Sequence, residues 1–405
     1  MLQAQAFWLV TLLALISTTS ARAQQQDLVQ VQDTLMFRAD YTLQSDSNLQ
    51  RLPASANVSA QTGRDSTAER IGISTLGVSF NKAYSLQRLE LDLSVLDYSY
   101  QNFSQYSFTA TNYAAAWRWS ITPRFHGSLT ADRLVTPNNP SDAPDVTQRN
   151  LRTTSNTGFD AIYDMDGTWS LLAGLSRTNQ TNQVALGTGD DYNANTASVG
   201  VRRASGSNSV FTYNLKTSSG RYLTASANNR EFDQIDNGVN LSWVLSGNTT
   251  ANLSAVHIDR NHPSQPQRDY SGFNTGVAIN WNITGKTALA ASWARQLGSY
   301  QTGYSNHTLS NRLSLGPTWR IGSKTYLGLR YDLTYIDYLG APDAGSITQR
   351  KDTLRDASLS LNWQPFQFVA FNASLKKSTR DAAVTNLAPL DYSSTVGKLS
   401  ADFSF

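Results

Sequence analysis

No cysteine occurs in the 405 residues of this chain. Disulfide frameworks, thiol nucleophiles and cysteine-ligated zinc are therefore excluded. Charge is scarce as well. Charged residues make up 16%, and 33 Lys+Arg against 30 Asp+Glu leave a net charge of +3. That surplus is too small for the electrostatic footprint of a nucleic-acid binder, so no nucleic-acid partner is expected. Long apolar runs are missing too. A membrane-crossing helix needs about 20 consecutive apolar residues, and no such run follows the N-terminal segment. What remains is polar without being charged. Hydrophobic residues reach 40%, yet the mean hydropathy is −0.38, because Ser, Thr, Asn and Gln carry the polarity. The chain holds 18 Tyr, 15 Phe and 9 Trp, a content that opposes disorder.

The N-terminus reads as a targeting segment. Ala6 to Ile16 is apolar but too short to span a bilayer, and Ala21-Arg22-Ala23 fits the small-x-small pattern of a cleavage site. A Sec signal peptide over residues 1–23 and a single domain over 24–405 are expected. Met1 to Gln5 lacks the Lys or Arg usual in such leaders. With no Cys after the apolar run, lipoprotein anchoring is excluded.

The rest of the chain alternates with period two, the mark of strands whose side chains point to opposite faces. In Leu89-Glu90-Leu91-Asp92-Leu93-Ser94-Val95 the odd positions are apolar and the even ones polar. Tyr113, Ala115, Trp117, Trp119 and Ile121 repeat the pattern, as do Phe273, Thr275, Val277, Ile279 and Trp281. Helical spacing is absent over any comparable length.

Turn signals divide these runs. Short ones sit at Asn81-Lys82-Ala83, Thr122-Pro123-Arg124, Asp166-Gly167 and Ser205-Gly206-Ser207. Others sit at Ser246-Gly247-Asn248, Thr284-Gly285-Lys286, Gly322-Ser323-Lys324 and Gln364-Pro365-Phe366. Each supplies residues that tolerate tight backbone geometry. Between them lie pairs of long strands joined by longer polar loops, such as Gln44 to Asp65, Thr136 to Arg149, Thr181 to Tyr192, Arg260 to Arg268 and Gly340 to Lys351. Strict alternation of short and long connections is the asymmetry of an outer-membrane barrel, with short periplasmic turns and long outer loops. The expected fold class is all-β: a transmembrane antiparallel β-barrel of the bacterial outer membrane with about 18 strands (16–20), from Thr34–Leu43 to Tyr392–Phe405. Such a chain has outer-membrane lipid as a partner. In lipid every backbone N–H and C=O needs an internal partner, which a closed sheet supplies.

Two further features fit. Leu399-Ser400-Ala401-Asp402-Phe403-Ser404-Phe405 alternates up to a terminal Phe, the type of last strand that barrel-assembly machinery reads. Trp117, Trp119, Trp243, Trp281, Trp319 and Trp363 all lie near short turns, where an interfacial aromatic girdle is expected.

Chemistry finds little to use. None of His126, His257, His262 and His307 pairs at metal-ligand spacing. No nucleophile elbow is present. Gly285-Lys286-Thr287 resembles the end of a phosphate-binding loop, but Asn280 stands where that motif needs Gly, and a strand turn accounts for it. No catalytic residue, metal or cofactor is expected. The informative polar residues have the inward parity: Arg38, Asp40, Glu90, Asp92, Arg118, Asp132, Arg312, Arg330 and Asp332. Arg or Lys facing lipid costs roughly 2–4 kcal/mol at the bilayer midplane, so these residues are expected to line an interior. There they serve either structural pairing along the wall or a polar conduit, whose mixed charge and aromatic content suit sugars.

Phe80 to Arg133, FNKAYSLQRLELDLSVLDYSYQNFSQYSFTATNYAAAWRWSITPRFHGSLTADR, closely resembles the EpsL family of exosortase-associated exopolysaccharide biosynthesis proteins of Gram-negative bacteria. Supporting stretches are Arg268 to Gly272, Arg312 to Asp332 and Arg355 to Trp363. The resemblance covers nearly the whole mature chain and extends to a broader group of porin-like β-barrels. It implies an outer-membrane conduit for exopolysaccharide export. Exopolysaccharide would be the ligand, and periplasmic or inner-membrane export components would be partners. It supplies no catalytic residues. A general diffusion porin, a structural or receptor barrel, and a barrel-borne enzyme acting through a carboxylate pair are the alternatives.

Overall fold

The structure is a computed structural model, and it describes residues 34–138, 148–184, 191–223, 231–299, 305–340, 350–383 and 390–405. The expected signal peptide, residues 1–23, lies outside the described residues.

The alternating runs form strands throughout. They are β1 (Thr34–Asp46), β2 (Glu69–Tyr84), β3 (Gln87–Tyr100), β4 (Phe108–Thr122), β5 (Phe125–Pro137) and β6 (Leu151–Asp164). Next come β7 (Trp169–Asn182), β8 (Tyr192–Ala204), β9 (Val210–Tyr222), β10 (Glu231–Ser246), β11 (Thr249–Asn261) and β12 (Tyr270–Asn282). The set ends with β13 (Thr287–Ser299), β14 (His307–Arg320), β15 (Thr325–Leu339), β16 (Lys351–Phe366), β17 (Val369–Ala383) and β18 (Tyr392–Ser404). Each pairs antiparallel with the next, and β18 pairs back onto β1, Val396–Ser404 against Asp46–Arg38. The sheet is thus a closed 18-stranded barrel with no edge. One short helix, α1 (Val58–Thr62), sits in the loop between β1 and β2.

Six of the eight short turns fall where the sequence places them. Two do not. Asn81 and Lys82 continue β2, because Asn81 pairs with Thr34 on one side and Glu90 on the other. Its side-chain oxygen also accepts from Arg88 at 2.7 Å. The chain reverses later, at Ser85-Leu86, with Ser85 at φ 54°. Likewise Gln364-Pro365-Phe366 ends β16 and the turn follows at Gln367-Phe368. Pro365 falls within the register shift between Trp363 and Phe366, where its missing N–H removes no ladder bond. The first strand also runs past Leu43 to Asp46.

Residues directly opposite in a ladder share a face, and following the registers round the barrel sorts every strand into two sets. One set is apolar. On β1 it is Leu35, Phe37, Ala39, Tyr41 and Leu43; on β3 it is Leu89, Leu91, Leu93 and Val95. A span like Leu35–Leu43 covers about 27 Å of strand, which a tilt of about 40° reduces to roughly 20 Å of height, near the apolar band of outer-membrane barrels. This set meets lipid. Trp117, Trp243, Trp281, Trp319 and Trp363 belong to it and are 43–50% exposed at the short-turn end, as a girdle requires. Trp119 is the exception, at 8% exposed. It stacks on Phe159 at 5.8 Å, lying across Gly127, where a Cβ would stand 2.6 Å from the indole.

Both ends of the described chain lie at the short-turn end, where Phe37 and Phe405 exchange backbone hydrogen bonds of 2.9 Å. Most burial lies at the opposite end. There Leu49 and Phe103, from two loops, close over Ile71, Tyr100, Phe108 and Ala110 of the inner face.

Candidate functional site: the inner wall

The second set of residues, facing the interior, is polar. All nine residues expected to line the interior belong to it. Arg38 lies opposite Gly77, which lies opposite Ser94, while Glu90 and Asp92 have the same parity on β3. Arg118 faces Arg88 across β3 and β4, and Asp132 faces Ala114. Arg312 lies opposite Thr334, and Ser314 opposite Asp332.

The structure draws these residues into two groups. The first spans β1 to β4. Arg38 Nη2 donates to both Asp92 oxygens at 2.7 and 2.6 Å, and Ser79 Oγ donates to the same carboxylate at 2.6 Å. Arg118 Nε donates to Glu90 at 2.8 Å. The Arg38–Asp92 pair remains 44% exposed on each side, which leaves both groups accessible to solute. The second group lies on β14 and β15. Asp332 accepts from Arg330 Nε at 2.9 Å, pairs with Arg312 at 3.0 Å and takes a further bond from Ser314. Asp132 joins neither group. It accepts from Asn156 at 2.9 Å, and Thr178 donates to Asn156 in turn. Asp40 lies apart as well, directly opposite Asp402 across the closing seam.

Like charges directly opposite repel, and the wall manages this locally. Asp356 faces Asp332, but Asp356 pairs with Lys376 at 3.0 Å while Asp332 has its two arginines. Asp402 accepts from Asn372 and from Ser400. Asp332, Asp356 and Asp402 are thus already engaged by neighbouring side chains. Arg38, Glu90, Asp92, Arg118, Arg312, Arg330 and Asp332 all take part in ion pairs along the wall.

Toward the long-loop end lie polar groups that the sequence reading did not single out. Asp352 is 0% exposed, with Arg380 at 2.6 Å and Arg350 at 2.8 Å. Tyr338 donates to the same carboxylate at 3.0 Å, and the Arg350 guanidinium lies 4.2 Å from the Tyr338 ring centroid. A quarter of the circumference away, Arg260 sits 4.2 Å over Phe232 and 5.7 Å from Tyr270. His262 follows in the loop after β11, stacked on Tyr222 at 6.1 Å, with its Nδ1 3.5 Å from the Asp269 carboxylate. Burial, with Arg260 beside it, pushes its imidazole down to about 4, so His262 is neutral at pH 7. Asp352 and Arg380 continue the inward parity of β16 and β17. That signal could have found them, had the strands been followed beyond the apolar band.

The architecture is similar to that of outer-membrane porins. The chain superposes on Pseudomonas aeruginosa OccK1 (OpdK) with TM-score 0.54 at 11% identity, covering 92% of this chain and 99% of that one. On P. aeruginosa OccK2 (OpdF) in complex with glucuronate the TM-score is 0.54 at 11% identity, covering 92% and 98%. On P. aeruginosa OccK3 (OpdO) it is 0.51 at 13%, covering 94% and 97%. At these identities the likeness is one of fold. No protein-family model and no curated protein matches the chain.

Proposed function

We propose that this protein is a porin-like diffusion channel of the bacterial outer membrane for small hydrophilic solutes. The observation that carries this reading is the closed wall whose inner face holds accessible charges of both signs, Arg38–Asp92 and Arg118–Glu90, and whose outer face is an apolar band. Fixed, paired charges give a passing solute alternating sites that bind weakly enough to release. Two of the similar structures hold small carboxylates, vanillate and glucuronate, which makes such acids suitable first solutes. Delivery through a signal peptide over residues 1–23 belongs to the same reading. The test is reconstitution in planar bilayers, followed by swelling of liposomes in glucuronate, vanillate and neutral sugars. Ohmic single-channel steps and solute-driven swelling are expected. A barrel that inserts but neither conducts nor swells would overturn the channel.

A second reading is favoured by the Phe80–Arg133 resemblance to the EpsL family: a conduit for exopolysaccharide, working with periplasmic or inner-membrane export components. An in-frame deletion separates the two. Polymer trapped in the periplasm supports export, and unchanged surface polymer supports the diffusion channel alone.

A further inference from the structure

A depression lies on the lipid face of the barrel. It has a volume of about 540 Å³ and is lined by Leu129, Phe159, Leu175, Ala197, Arg177 and Asn195, among others. A second depression of about 430 Å³ adjoins it over Ala173, Val199, Leu215 and Ile235. The registers explain the shape. Phe159, Leu175, Ala197, Thr217 and Ile235 lie side by side in one row across β6 to β10. Small side chains in mid-row sink a groove between Phe159 and Ile235.

The next row toward the long loops changes chemistry. It reads Thr157, Arg177, Asn195, Ser219 and Asp233. Ser219 donates to Asp233 at 2.6 Å, which leaves that carboxylate engaged. Arg177 is exposed and outward-facing, and it forms no hydrogen bond or ion pair among the described residues. An unpaired guanidinium facing lipid is costly unless an anion meets it. Here it stands at the upper border of the apolar band, on the side of the long outer loops, where the phosphates of outer-leaflet glycolipid lie.

We propose that this groove binds a phosphorylated glycolipid of the outer leaflet: an acyl chain lies over Ala173, Ala197 and Leu215, and a phosphate meets Arg177. Asn195 and Thr157, flanking Arg177 in the row, supply hydrogen bonds to the headgroup. A guanidinium is the preferred partner because its fork matches two phosphate oxygens. The inference needs the barrel in an outer membrane but not the channel reading.

The test uses the full mature protein in phosphatidylcholine nanodiscs titrated with bis-phosphorylated lipid A, with bound lipid counted by native mass spectrometry. Arg177→Ala is expected to weaken binding roughly tenfold, the size of one charge-assisted contact. Arg177→Lys should restore most of it, and Ala197→Trp should block the groove. Dephosphorylated lipid A should bind like Arg177→Ala. Equal binding of phosphorylated and dephosphorylated lipid would overturn the proposal, as would wild-type affinity in Arg177→Ala. If Ala197→Trp changes the oligomeric state and leaves lipid affinity alone, the groove is a contact between copies and the proposal fails. Resistance to heat unfolding on gels checks that each variant is folded. Conductance measured on the same samples separates failure of the lipid site from failure of the channel.

Discussion

The barrel holds ion pairs of similar geometry in two unlike settings. At the long-loop end Asp352 and Arg380 are 2.6 Å apart with side chains 0% and 2% exposed. Lower in the wall Arg38 and Asp92 are also 2.6 Å apart, yet each is 44% exposed. The distance is the same and the energetics are not. A buried pair has lost its water, and removing one partner leaves an uncompensated charge. An exposed pair exchanges readily with water and contributes little to stability. The outer group therefore serves the fold, holding β15, β16 and β17 together at the long-loop end. The lower group remains available to solute.

The largest effect is expected from Asp352→Ala. It strands Arg380 and Arg350 together, and a loss of about 3–5 kcal/mol should appear in urea unfolding of the detergent-solubilised barrel. If the loss matched that of Asp92→Ala, the contrast between the two settings would collapse.

Next comes pH. His262 titrates near 4 in the folded protein against an ordinary 6.5. Below 6.5 the unfolded chain takes a proton that the folded chain refuses, so stability falls as pH drops from about 6.5 toward 4. The loss approaches about 3 kcal/mol by the lower limit. Unfolding followed across this window, in wild type and His262→Gln, checks the sign: the variant should flatten the slope.

A packing test without charge follows. A Cβ on Gly127 would stand 1.9 Å from the Asp160 carbonyl oxygen and 2.6 Å from Trp119. Gly127→Val should therefore cost about 1–3 kcal/mol and free the indole, readable as a shift in Trp fluorescence.

The smallest stability effect is expected from Arg38→Ala, under about 1 kcal/mol. Its functional effect should be plain, since Asp92 then faces the lumen without its cation. The reversal potential in a salt gradient should move toward cation selectivity. An unchanged reversal potential would place Arg38 and Asp92 outside the conducting path.

Much of this was legible in the chain. Alternation in Leu89–Val95 fixed which face of β3 meets lipid, and the same parity put Glu90 and Asp92 inside. The Gly-containing turns at Asp166-Gly167 and Ser246-Gly247-Asn248 marked hairpins because few backbones can reverse so tightly. Asn81-Lys82-Ala83 misled for the same reason. Asn favours turns locally, but ladder partners on both sides and a bond from Arg88 outweighed that preference. Trp119 shared the parity of Trp117 but not its exposure, because its cover comes from Phe159, distant in sequence.

By itself the sequence determined the class, an approximate strand number and the sidedness of the wall. These follow from period-two patterning and local turn chemistry, which act over a few residues. Which charges meet was decided only by the tertiary structure. Arg38 and Asp92 are separated by 54 positions and by an intervening strand, and Asp402 reaches Asp40 only because the sheet closes. The lipid-face groove is of the same kind. Ala173, Ala197 and Ile235 lie on separate strands, and only the ladder registers set them side by side.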